Sequence, residues 1–281
     1  MFIVGLISTL LSSLLYSVRA SLLHDFRIMP INKPSVTCFY RLFSLPIIVA
    51  IFYFSRQSLP SNSTSFIFWF SLSIFFNFIM SFIQLKLYEK HSLSTVESQK
   101  FLVVIFALII GYYIFSEVLA YREMLGLTIL LVSFVGLYLY ELQPKIHLDI
   151  ALYYLFIDIV DITNRQSIRN SSPIAFSLYI TVAMILSNLL VASFRHKNIY
   201  NFSHFGINWR LIVAGLISAF AIIGTSYGYQ YLPIGLVSSI LSTQTFFSLG
   251  LSHVKHKEKN LMPKVVASSF AFLGILAIFL K

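Results

Sequence analysis

The sequence predicts an all-α integral membrane protein with about ten transmembrane helices, arranged as two inverted five-helix repeats. Three observations lead there. Of 281 residues, 58% are hydrophobic and only 11% charged, too few polar side chains to cover a water-facing globule of this size. Apolar stretches of bilayer-crossing length, about 20 residues for a helix, follow one another with short polar breaks. The second half of the chain also repeats the pattern of the first.

The spans fall near residues 3–23, 35–54, 66–88, 93–115, 121–140, 148–165, 175–194, 209–230, 233–253 and 261–280. Before Arg19 the first span carries no Lys or Arg, whereas a secretory signal opens on a positive segment, so it is expected to be retained. The breaks lie at HDFRIMPINKP, SRQSLPSNSTS, EKHS, SEVLAYRE, ELQPKIH, RNSSP, RHKNIYNFSH, YLP and HVKHKEKN. Pro, charge and small polar residues end a helix or cannot stay in lipid.

Laying Glu117 on Glu258, an offset of 141, sets Gly126 on Ala267, Ser133 on Gly274, Tyr88 on Tyr229, Leu93 on Ile234 and Val96 on Val237. Around the second span the offset is 139, which pairs Pro34 with Pro173 and Tyr40 with Tyr179. The repeats are expected at residues 1–143 and 144–281. Five spans are an odd number, so the second unit enters the membrane in the opposite sense, the architecture of secondary transporters with a site near the midplane.

Composition also excludes several classes. The formal net charge of +10 comes from bases scattered over short loops, whereas nucleic-acid binding gathers them on one face. Cys38 is the single cysteine, which excludes an internal disulfide and a cysteine metal cluster. No zinc-protease helix signature, P-loop or dinucleotide fingerprint is present, so no cofactor and no bound metal are expected. The basic loop His253, Lys255, His256, Lys257 and Lys259 suits anionic lipid better than a metal cation.

Candidate site residues appear as polar stripes at helical spacing. The first span carries Ser8, Ser12, Tyr16 and Arg19; the second Thr37, Arg41 and Ser44; the third Asn77, Ser81, Gln84 and Tyr88. Ser218, Thr225 and Tyr229, then Ser238, Ser242 and Thr245, are the second-half counterparts. The fifth and tenth spans lack such a stripe and are expected to pack peripherally. Each Ser or Thr has a blander reading, a hydrogen bond to its own helix or glue between helices.

Ionisable residues narrow the choice, since a charge in a span is costly and marks a functional site by default. Glu97 and Lys100 stand three apart and can pair on one face. Asp158, Asp161 and Arg165 share a face of the sixth span, Asp161 four before Arg165. Either these neutralise one another structurally, or a base clamps a carboxylate or phosphate while an acid receives an ammonium group or a proton. Arg41 is a further clamp or a brace between helices. Glu117, with its twin Glu258 beside a loop, reads as a helix-end marker and not a ligand.

PSVTCFYRLFS at 34–44, the short connection from Tyr88 into the fourth span, and an acid followed by small residues nine and sixteen positions later (Glu117, Gly126, Ser133; Glu258, Ala267, Gly274) resemble the EamA-type drug/metabolite transporter superfamily. The resemblance covers nearly the whole chain, with Tyr16 where the family often has Trp and with few glycines. It implies a ten-helix permease with both termini in the cytoplasm. DITNR at 161–165 is similar to the sixth-span end of members that import S-adenosylmethionine in intracellular bacteria.

The expected function is a secondary transporter moving a small polar or zwitterionic metabolite, amino-acid-like or nucleoside-like and including S-adenosylmethionine, by alternating access. The expected partners are that substrate, membrane lipids and a coupling proton or exchanged metabolite, with no nucleic acid. The expected location is a bacterial inner membrane. An intramembrane enzyme using buried acids and a non-transporting scaffold are the alternatives. Loop charge points the other way from the family on orientation. Arg56, Arg122, Arg165, Arg169 and Lys281 lie on the side of the termini against thirteen Lys and Arg opposite, which predicts termini outside.

Overall fold

Lipid offers no partner to a backbone N–H or C=O, so a chain of this composition satisfies those groups inside helices. The computed structural model describes residues 1–28, 33–57, 63–91, 96, 99–141, 147–195, 209–248 and 261–279. Among these residues there are ten named α-helices and no strand. They are α1 (Phe2–Ile28), α2 (Lys33–Ser55), α3 (Thr64–Lys90), α4 (Phe101–Phe115), α5 (Tyr121–Glu141), α6 (Leu148–Arg169), α7 (Pro173–Arg195), α8 (Trp209–Tyr231), α9 (Ile234–Ser242) and α10 (Leu261–Phe279).

Local chemistry sets several ends. Ser63, in an extended conformation, accepts the Phe66 N–H and caps α3. Ser172 does the same for α7 through the Ala175 N–H, with Pro173 in the first helical position where its missing donor costs nothing. α4 closes on Ser116, whose φ of 51° is left-handed, so that the Glu117 N–H reaches back to the Gly111 carbonyl. Pro233 separates α8 from α9.

Eight predicted spans return as helices within a few residues of their expected limits; the fourth and ninth each contain a turn among their described residues. In the fourth, the described helix starts at Phe101, behind a tight turn at Gln99 and Lys100 with i to i+3 hydrogen bonds from Leu102 to Gln99 and from Val103 to Lys100. The ninth breaks at Thr243, whose N–H turns back to the Ile240 carbonyl, and is helical again over 244–248. Both turns fall in short polar runs of the sequence, ESQK at 97–100 and STQT at 242–245.

By length and composition α1, α2, α5, α7 and α8 each suffice to cross a membrane, and α4, part of α3 and part of α10 are shorter apolar helices. α6 does not meet that standard, because it carries Asp149, Asp158, Asp161, Arg165 and Arg169. It packs against α3, α4, α8 and α9, which enclose its charged middle.

The bundle is apolar outside and buries polar side chains among apolar ones. On α1, Ile7, Leu11 and Leu14 are exposed while Ser12, Ser13 and Ser17 are fully buried. On α5, Leu125, Val132 and Leu139 face outward at steps of seven, over buried Leu130, Ser133 and Leu137. A soluble protein would show the reverse, and lipid makes this arrangement the stable one.

Helices meet in a regular scheme: α2 with α7, α4 with α9, α5 with α10, and α1 with α8 as α3 with α6. Small residues permit the close crossings. A Cβ on Gly126 of α5 would lie 2.6 Å from the Gly274 carbonyl of α10, and one on Gly274 would lie 2.8 Å from the Gly126 carbonyl. Gly224 and Gly228 admit Ser8, Ser12 and Thr9 of α1 in the same way. The absence of polar stripes on the fifth and tenth spans fits this mutual pairing.

Candidate functional site

The charged middle of α6 meets α8, α9 and the α4–α5 connection. Successive turns of α6 place Asp158, Asp161 and Arg165 on one side of the helix, and all three are buried. Their surroundings differ.

Asp161 is the hydrogen-bonded one. Its Oδ2 accepts the Ser238 hydroxyl of α9 at 3.0 Å, and the Tyr229 phenol of α8 is within hydrogen-bonding reach of the same carboxylate. Asp158, one turn earlier and 0% exposed, has no donor at either oxygen. Burying a carboxyl group without partners is costly in protein and more so in lipid. Neither acid pairs with a basic side chain among the described residues.

Arg165 does not turn to Asp161 as the four-residue spacing suggested. Its guanidinium pairs with Glu117, from the α4–α5 connection, and lies over the Phe115 ring with its carbon 4.9 Å from the centroid. Both partners are nearly enclosed, at 6% and 11% side-chain exposure, which makes the pair structural and not a surface ornament. The Glu117 carboxylate also accepts the Ile234 N–H, with Oε2 at 3.0 Å, so it caps the first turn of α9 and sits at the positive end of that helix. The sequence reading set Glu117 aside as a marker. In the structure it fixes three elements to one another: the α4–α5 connection, α6 and α9.

The break in the ninth span is held from α1. Ser17 donates to the Gln244 carbonyl at 2.9 Å, and Ser13 shares a hydrogen bond with Thr243 at 3.0 Å. These hydroxyls supply the donors and acceptors that a helix break leaves open in lipid. Neither was singled out from the sequence, because one Ser in an apolar helix carries no signal about its partner.

The remaining candidates fall in several places. Tyr16 and Thr225 meet across α1 and α8, oxygen to oxygen at 3.4 Å. Asn77 donates to the Ser73 carbonyl of its own helix at 2.8 Å and faces Asn164 of α6, which accepts from Ser73 at 2.5 Å. Ser242 donates to the Ser238 carbonyl one turn back, the bland arrangement. Thr245 is buried beyond the break, Lys100 lies half-buried before α4, and Arg41 is half-buried on α2. Gln84 and Tyr88 lie in α3 with side chains outside the described residues, and Glu97 lies outside them entirely, as do Glu258 and the basic loop.

Away from this centre, His91 closes α3 and meets Asp149 at the start of α6 at 2.9 Å, with His147 beside it. Their ligand atoms lie within 4.8 Å of one another. Lys90 occupies the same Asp149 oxygen at 2.7 Å, which neutralises the acid in place.

An apolar-outside helical bundle enclosing ionisable side chains defines a multi-pass integral membrane protein. Residues 150–280 match the EamA-like transporter family, part of the drug/metabolite transporter superfamily. A protein known from a crystal structure is similar in fold over 97% of this chain and 96% of its own, with a TM-score of 0.74 and 13% identity. No curated protein matches.

Proposed function

We propose that the protein is a secondary transporter for a small polar or zwitterionic metabolite, amino-acid-like or nucleoside-like, moved by alternating access of two inverted halves, 1–143 and 144–281. The observation that carries this reading is the buried acid pair of α6. Asp161 is oriented by Ser238 and Tyr229, while Asp158 has both oxygens unsatisfied, so a cationic group of the substrate supplies the missing donors. An ammonium group suits because it brings both charge and hydrogen-bond donors, whereas a sulfonium brings charge alone. S-adenosylmethionine is the instance implied by the likeness of DITNR.

The helix pairing supports two related halves. Helices five apart in the order pack on each other at three places, and α1 on α8 corresponds to α6 on α3. Each half then contributes one interrupted span, the fourth at Gln99 and Lys100 and the ninth at Thr243. A bacterial inner membrane fits this reading.

The test is uptake into vesicles holding the full chain, across radiolabelled amino acids, nucleosides and S-adenosylmethionine. One of these is expected to accumulate, and Asp161→Asn to lower its initial rate at least roughly tenfold, the loss of one charged partner of about 1.4 kcal/mol or more. No accumulation of any panel compound by folded protein refutes the reading.

A further inference from the structure

Among the described residues two half-buried bases of the spans lack acids, as the two acids of α6 lack bases. Arg19 lies in the apolar span of α1 and Arg41 in that of α2. Both gather at one aromatic pair: the Arg19 guanidinium is 4.5 Å from the Tyr16 ring centroid and 5.5 Å from that of Tyr40, and the Arg41 guanidinium is 5.9 Å from Tyr40. Neither has a carboxylate partner among the described residues, and the Arg41 Nε is buried without any hydrogen bond. The contrast is with Arg165, more deeply buried, which is matched by Glu117.

Rings stabilise a guanidinium by a modest amount, about 0.5 to 2 kcal/mol, and do not replace the hydrogen bonds that its N–H donors make in water. Two guanidiniums near one ring also repel. An anion between them removes both costs, and the fork of Arg suits a planar carboxylate or a phosphate. The place is continuous with the acid pair: Tyr16 touches Thr225 of α8, the helix that brings Tyr229 to Asp161.

We propose that Arg19 and Arg41 form the subsite for an oxyanion of the transported molecule, a carboxylate or a phosphate, with Tyr16 and Tyr40 as its aromatic support. This rests on the transport reading, and it sharpens the substrate class: one cationic group at Asp158 and Asp161, one anionic group at the arginines.

The experiment is thermal unfolding of the full chain in detergent with sodium acetate or sodium phosphate, against sodium chloride at equal ionic strength. At about ten times the dissociation constant the bound anion raises the midpoint by about 3 °C. Arg19→Gln and Arg41→Gln each abolish the rise, Asp158→Asn keeps it, and Arg41→Lys, which retains the charge, keeps part of it and shows that the fold survives change at that position. Equal midpoints in all three salts overturn the proposal. So does a rise that persists in both Gln variants, or one produced by phosphatidylglycerol in nanodiscs and by neither free anion. The two readings fail separately: an anion effect without uptake of any panel compound removes the transport reading, whereas uptake with an unchanged KM in both Gln variants removes the subsite.

Discussion

Replacing Glu117 by Gln probes the tie on which the centre of the bundle depends. The substitution keeps the side chain's shape and an oxygen for the Ile234 N–H, but removes the charge that faces Arg165. Removing one member of a buried ion pair costs about 3 to 5 kcal/mol, because the other charge stays buried and unmatched. Exposures of 6% and 11% place this pair near the buried limit, and the Phe115 ring, still 4.9 Å from the guanidinium carbon, returns part of the loss. About 3 kcal/mol remains, which at about 2 to 4 °C per kcal/mol is a fall of about 6 to 12 °C in the unfolding midpoint. The assay is intrinsic-fluorescence unfolding in detergent at one fixed scan rate, since membrane proteins unfold irreversibly and the rate enters the midpoint. Arg165→Met in the Glu117→Gln background recovers most of the loss, because no lone charge is left. A single variant within about 2 °C of the parent, or a double variant as unstable as the sum of the two singles, refutes the account.

Gly274→Val brings a Cβ to 2.8 Å from the Gly126 carbonyl and should lower the midpoint by several degrees, whereas Gly136→Ala, with nothing within 4 Å, should raise it slightly through helix propensity of about 1 kcal/mol; parallel unfolding scans of the two variants check this. Asp158→Leu removes a buried carboxyl that has no partner, so it should stabilise the chain by about 1 to 3 kcal/mol while abolishing uptake. Destabilisation there, in the same scans, shows that the carboxyl has a protein partner after all.

The positions of the helices were legible because length and apolarity are properties of a segment. Each span must satisfy its own backbone in lipid, whatever its neighbours do, so the Pro-bearing break at RNSSP and the polar break at SRQSLPSNSTS mark helix ends without reference to the fold. The peripheral place of the fifth and tenth spans was legible too, from the missing stripe and from Gly126 and Gly274. The interior face of α6 followed from Asp158, Asp161 and Arg165 at helical spacing.

What spacing along one helix cannot contain is the rotation of that helix against another. Asp161 and Arg165 stand four apart, a spacing that allows a pair, yet Arg165 points to Glu117, 48 residues earlier in the chain, and Asp161 to Ser238, 77 residues later. Only the crossing of α6 with α9 and the turn at Ser116 decide that choice, as only the approach of α1 to the break at Thr243 gives Ser13 and Ser17 their partners. Sequence alone therefore determined that this protein is a membrane-spanning helical bundle with a charged sixth helix. Tertiary structure decided which charges cancel and which are left over, because an ion pair or hydrogen bond needs contact within a few ångströms between helices that the chain places far apart in order.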